Sequence, residues 1–261
     1  MGPLAAGEAC LTEDEREMGV VLVEIGGGTT DIAIFRGGHL WYSSTVPVGG
    51  YHLTRDLAVA LSIPYYFAEE AKLQWGHVFP EIIDQSEEVL LPGFQGAPRR
   101  TVSRGEICIP LKERLVETLN IVLLKLREAG LERLPPGGMV ITGGTAAMAG
   151  LEELAKRLIP GVIRIGQPRG VAGLPQELRN PAYSTSVGIL LWGIRNHGEP
   201  RIPRRGGDRM ATYRSLPRRW KTSATSLWKQ TYHSVTDKVK RMYTYTEENG
   251  DKSNGRMNDY R

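Results

Sequence analysis

Apolar residues in the first part of the chain come in short runs that glycines cut apart. Val20–Ile25 is a β-branched run that stops at Gly26-Gly27-Gly28. Thr30–Phe35 resumes it, Arg36-Gly37-Gly38 interrupts it again, and Leu40–Val46 follows. Three such runs joined by glycine turns predict an antiparallel meander. The period then changes. Leu53, Leu57, Ala58 and Leu61 fall at helical spacing, which predicts a helix over Thr54–Leu61 with Pro64 as its stop. Residues 77–101 mix short apolar pairs (Ile82-Ile83) and triplets (Val89-Leu90-Leu91) with loop residues and read as small strands of a subdomain.

Ser103-Arg104-Gly105-Glu106 has the form of a capping box. A long periodic helix follows, ending near Gly130, with Leu111, Leu115, Leu119, Val122, Leu123 and Leu126 as its buried stripe. Met139–Thr142 reads as a buried strand ending at Gly143-Gly144. Met148–Leu158 reads as helix, Val162–Ile165 as strand, and Ala182–Ile194 as a helix apolar almost all round, hence expected to be well buried. Strands alternating with helices predict an α/β body.

Two glycine turns at strand ends are the candidate chemistry. In Glu24-Ile25-Gly26-Gly27-Gly28-Thr29-Thr30-Asp31, glycines let backbone N–H groups approach a phosphate, and the threonine hydroxyls can add donors. An acid just before the turn is placed to hold a metal-bound water. A β-turn that merely needs positive φ is the plain alternative; the order acid, three glycines, two threonines, acid favours phosphate binding. In Thr142-Gly143-Gly144-Thr145, a buried strand ends in glycines before a helix, which suits a base or ribose lying on the backbone. Either turn alone is weak evidence. As a pair, roughly a hundred residues apart, they can converge on one ligand in a cleft.

Composition adds little until the chain is divided. Residues 1–200 carry 18 Lys/Arg and 23 Asp/Glu, whereas residues 201–261 carry 15 and 6. A mildly acidic body therefore carries a basic tail. No apolar run approaches the ~20 residues of a spanning helix, and residues 1–17 lack an export pattern. Cys10 and Cys108 give neither a disulfide framework nor ligand spacing. The five histidines show no metal-binding spacing, and no Ser/His/Asp arrangement is visible.

The two turns resemble those of the actin-like ATPases, and more closely those of the FtsA family of bacterial cell-division proteins. The likeness continues through Val46-Pro47-Val48-Gly49-Gly50-Tyr51-His52-Leu53-Thr54-Arg55-Asp56, through Ala68-Glu69 with Lys72 and Gly76, through Arg164-Ile165-Gly166-Gln167-Pro168, and into Pro181–Gly188. It covers about residues 3–195. The resemblance implies an actin-like (RNase H-like) second domain over 19–195, with 1–18 as the end of a first domain. It implies ATP phosphates at Gly26, Gly27, Gly28, Thr29 and Thr30, ribose and adenine at Glu69 and Lys72, and adenosine support from Gly143, Gly144 and Thr145. Glu24 would hold Mg²⁺ through water, although the family has Asp there; Thr145 stands where the family has a small residue.

The tail has its own pattern. Residues 196–214 are rich in Gly, Pro and Arg and read as a flexible linker. From Ser215 to Tyr243, Trp220, Leu227, Trp228, Tyr232, Val235 and Val239 fall on one half of a helical wheel, with Arg218, Arg219, Lys229, Lys240 and Arg241 on the other. Lys238 falls inside the apolar half. Such a helix suits an anionic lipid surface; a disordered basic tail and nucleic-acid contact remain alternatives. A C-terminal membrane helix behind a linker is what the FtsA resemblance implies, so no nucleic acid is expected. Residues 244–261 are polar and read as disordered.

The resemblance further implies a peripheral protein on the cytoplasmic face of the membrane at the division septum. Its partners would be the tubulin-like protein FtsZ of the Z-ring and further copies of itself, with ATP as a structural and polymerisation ligand and at most weak turnover. Another actin-like ATPase or kinase-fold protein, serving pilus assembly or DNA partitioning, and a non-functional truncated fragment are the alternatives.

Overall fold

A computed structural model describes residues 2–93, 98–171 and 173–196. The predicted meander is present as β1 (Val20–Ile25), β2 (Thr30–Arg36) and β3 (His39–Val46), paired antiparallel. β6 (Met139–Thr142) and β7 (Ile163–Ile165) extend the sheet on the other side of β1 in parallel register, giving the order β3-β2-β1-β6-β7. β1 is thus central and flanked by paired strands on both sides, which matches its near-continuous apolar sequence.

The period of two along β1 sorts its side chains between two layers. Val21, Val23 and Ile25 face a core shared with α3 (Gly50–Leu61), α4 (Tyr65–Trp75), α5 (Arg104–Glu128) and α6 (Leu151–Leu158). Glu24 falls on the opposite face, where α1 (Gly2–Cys10) and α7 (Ser184–Asn196) pack. These two helices cross closely: a Cβ at Gly188 would lie 1.7 Å from the Ala5 carbonyl oxygen. A buried cluster ties them to the sheet, with the Cys10 thiol 3.1 Å from Ser184 Oγ and Ser184 Oγ 2.6 Å from Thr142 Oγ1. α2 (Glu13–Met18) follows a Thr12 capping box, and Arg164 of β7 holds Glu15 through two nitrogens at 2.7 and 2.8 Å.

α5 carries the predicted capping box, with Ser103 and Glu106 bonded reciprocally. Leu111, Leu115, Leu119, Val122 and Leu126 are buried and Leu123 is partly so. β4 (Glu88–Leu91) and β5 (Arg100–Ser103) form the small antiparallel sheet expected in 77–101. Ile82-Ile83 is not a strand: Pro80 starts a 3-10 turn over Pro80–Ile82, because proline presets φ for a helical first residue. The helix expected from Met148 begins at Leu151, after a separate 3-10 turn over Gly144–Ala147 and a left-handed Gly150. α7 is not buried all round. Ile189 is 58% exposed and Ile194 65%, while Val187 and Leu191 are buried.

Candidate functional site

The first glycine turn is held in place by the residues that follow β3. Gly50 N–H donates to the Gly26 carbonyl at 2.9 Å, and Tyr51 N–H to the Gly27 carbonyl at 2.7 Å. A Cβ on Gly49 would sit 2.7 Å from the Gly26 oxygen, so only glycine permits this approach. On the other side, Gly143 adopts φ +92°, and a Cβ there would lie 2.5 Å from the Ile25 carbonyl oxygen. Thr145 then donates its hydroxyl to the Gly26 carbonyl at 3.1 Å. The two turns meet backbone to backbone.

Not every residue of the first turn faces outward. Gly27, Gly28 and Thr29 are exposed. Thr30 is fully buried, and its hydroxyl donates to the Val48 carbonyl at 2.8 Å. A phosphate at this turn would therefore meet the backbone of Gly27 and Gly28 and the side chain of Thr29, with Thr30 as a brace beneath them.

Glu69 and Lys72 lie three residues apart on α4, on one helical face. Lys72 Nζ is 2.7 Å from Glu69 Oε2, 2.9 Å from Thr54 Oγ1 and 3.4 Å from the Gly50 carbonyl oxygen. Thr54 also donates to Glu69. The ammonium is buried but has three oxygen partners, which offsets the cost of removing it from water. This network joins α3, α4 and the first turn.

A cavity of about 460 Å³ lies among these parts, lined by Gly27, Gly50, Tyr51, Glu69, Lys72, Gly144 and Thr145, with Leu73, Gly76, Arg104, Ala147 and Met148. That volume lies within the ordinary range for small-ligand sites. A larger hollow of about 710 Å³ runs along α5 but includes none of the glycine-turn residues. Tyr51, Thr54 and Arg104 stand in the quoted sequence motifs but were not assigned to the site from sequence. The capping box placed Arg104 at a helix start, yet the direction of its side chain depends on Trp75 and Glu87, distant in sequence.

Glu24 stands apart from the cavity lining. Its Oε1 accepts a hydrogen bond from Thr185, while Oε2 is buried with no hydrogen-bond partner among the described residues. Burial pushes this carboxyl above its ordinary range, against the opposing Thr185 bond, and Asp31 across the β1–β2 ladder pushes it further. An unpartnered buried carboxylate oxygen beside a second acid fits a cation-bound water, which would relieve both penalties. Among the described residues, no cluster of three or more His, Cys, Asp or Glu could hold a metal directly.

Trp220, Leu227, Trp228, Tyr232, Val235 and Val239 lie outside the described residues, as do the segments 215–243 and 244–261 and all but the first residue of the 196–214 linker. Among the described residues, no helix is long and apolar enough to cross a membrane.

The five-stranded mixed sheet with helices on both faces has solved counterparts. MreB5 of Spiroplasma citri bound to ADP superimposes with a TM-score of 0.58 at 20% identity, over 75% of this chain and 61% of that one. A PilM–PilN type IV pilus biogenesis complex gives a TM-score of 0.55 at 18% identity, over 77% and 52%. The fold is that of the actin-like proteins.

Sequence relatives narrow the class. Residues 21–188 match the family described as Cell division protein FtsA. Cell division protein FtsA of Pseudomonas aeruginosa is 40% identical over 196 residues, covering 75% of this chain and 47% of that protein. The Escherichia coli K12 protein of the same name is 38% identical over 211 residues, covering 77% and 50%. The chain belongs to the FtsA family. It spans about half the length of the curated relatives it matches.

Proposed function

We propose that this chain is the nucleotide-binding half of an FtsA-type division protein, with ATP held between the two glycine turns and α4. The convergence of Gly27, Gly144, Thr145, Glu69 and Lys72 on one cavity carries this reading. Gly27, Gly28 and Thr29 would take the phosphates, Lys72 and Glu69 the ribose side, and Gly143 to Thr145 the adenosine. Glu24 would hold Mg²⁺ through water, and the bound cation would neutralise phosphate charge. The ADP-bound and AMPPNP-bound MreB5 structures share the fold and support a nucleotide ligand.

In this reading the basic amphipathic segment 215–243 binds anionic lipid and the body binds FtsZ and further copies of the chain, tethering the division polymer to the membrane. Co-sedimentation of purified FtsZ polymers with anionic vesicles, with and without the 261-residue chain, tests it. FtsZ should pellet with the vesicles only when the chain is present, and Trp228→Glu should release it. Equal sedimentation with and without the chain would remove the tethering role.

A further inference from the structure

Two consecutive hydroxyls at the start of α7 have no role in the reading above. Ser184 and Thr185 bond to the ends of the two strands that run into the glycine turns. Ser184 is buried and accepts from the Cys10 thiol at 3.1 Å. Its Oγ lies 2.6 Å from Thr142 Oγ1, and Thr142 donates to the Gly166 carbonyl at 2.9 Å. Thr142 gives its one proton to that carbonyl, so Ser184 must donate to Thr142 and has no proton left for Glu24. Thr185, the next residue, donates to Glu24 Oε1 on β1. Among the described residues no other hydrogen bond holds either oxygen of that carboxylate.

We propose that Thr185 is a positioning residue, which fixes the Glu24 carboxylate so that Oε2 is left to accept from a cation-bound water of the nucleotide. The proposal rests on the nucleotide reading and adds the residue that orients its acid. A glutamate side chain turns about several bonds, and an unanchored carboxylate would spread over several rotamers. Anchoring one oxygen removes that freedom and keeps the other for a ligand. Thr185 is the second residue of α7, and the partial positive charge of a helix start favours a carboxylate held there. The anchor is itself fixed. Ser184 ties the same turn to Thr142, one residue before Gly143, and Gly188 packs on the Ala5 backbone of α1. A bond that only fastened α7 to the sheet would repeat what Ser184 does already. It would also not require a carboxylate with one oxygen buried and unpaired, which is costly to keep.

Calorimetric titration of ATP into the full 261-residue chain, once with Mg²⁺ and once with EDTA, tests this. The wild type should bind more tightly with Mg²⁺, and the ratio of the two affinities is the readout. Thr185→Val keeps the shape of the side chain and removes the hydroxyl. It should lower that ratio roughly tenfold and leave binding in EDTA unchanged, whereas Thr185→Ser should restore the wild-type ratio. Thr185→Ala takes its place if the valine variant does not fold. In a Glu24→Gln background, removing the hydroxyl should change nothing further, because Thr185 acts only through Glu24. An unchanged ratio without the hydroxyl, or a serine variant no better than valine, would overturn the assignment. Equal loss with and without Mg²⁺ would also overturn it and make the bond a structural tie. A wild type that binds ATP equally in both conditions would overturn it too, yet leave the nucleotide reading standing. A wild type that binds ATP in neither condition removes the nucleotide reading itself, and the role of Thr185 with it.

Discussion

Thr145, on the second glycine turn, donates its hydroxyl to the Gly26 carbonyl on the first, 119 residues away in sequence. The same carbonyl accepts from Gly50 N–H. One oxygen thus fixes both walls of the cavity to a single point of the β1 end. A small residue at position 145 would leave the turns in contact but untied.

Thr145→Val keeps the shape of the side chain and removes the tie. Because Gly50 still satisfies the Gly26 carbonyl, the loss should be modest, about 1 kcal/mol in urea denaturation. ATP affinity should fall along with it, since the second wall is then less firmly placed. A variant as stable as the wild type would mean that the backbone contact at Gly143 suffices.

The buried Glu24 carboxyl has a pH signature. Its folded-state pKa lies above its unfolded value, so its contribution is fully present below the ordinary carboxylate range and is lost as pH rises through the raised value. Glu24→Gln escapes that loss. Without Mg²⁺, the variant should melt higher than the wild type at about pH 8, and the difference should close near pH 4. A variant that melts lower at both pH values would show that the Thr185 bond outweighs burial.

Lys72 and Glu69 form a partly buried pair, and breaking it from one side leaves an uncompensated charge. Lys72→Met should cost about 2–3 kcal/mol, at or below the range for fully buried pairs, because Glu69 is partly exposed. Adding Glu69→Gln should recover part of that cost. A double-mutant cycle in chemical denaturation reads the coupling directly; purely additive effects would contradict the network with Thr54.

α7 exposes Ile189 and Ile194, and α1, which packs against it, exposes Leu4. Apolar patches of this kind drive association. The purified chain should self-associate as its concentration rises in sedimentation velocity, and the pair Ile189→Lys with Ile194→Lys should reduce this. A wild-type monomer at high concentration would show that the face is harmless.

The meander was legible because Gly26–Gly28 and Gly37-Gly38 cut apolar runs at their true ends, and α5 because a capping box precedes a clean stripe. α3 begins at Gly50, four residues before the predicted start. Gly49 and Gly50 read as loop because their purpose is close approach to Gly26, which no local pattern encodes. The strand read at Ile82-Ile83 failed because Pro80 sets the local backbone. α7 was read as buried from its composition, but which apolar residues a helix covers depends on its neighbours, here chiefly α1, with the sheet reached by Ser184 and Thr185. Both glycine turns stood out in sequence. Their joining through Thr145, the Lys72–Thr54–Glu69 network and the aim of Arg104 did not, since each depends on tertiary packing.

The most direct test of a nucleotide held between the two turns is calorimetric titration of Mg-ATP into the wild-type chain and into Gly144→Asp. Gly144 is exposed, and the nearest atom to a Cβ there is 3.9 Å away, so the variant should fold. Its carboxylate would add a negative charge to the wall of the cavity that Gly144 lines. One saturable site in the wild type, weakened roughly tenfold or more by the added charge, is the predicted result; no binding at millimolar ATP, or equal binding by both chains, would contradict it.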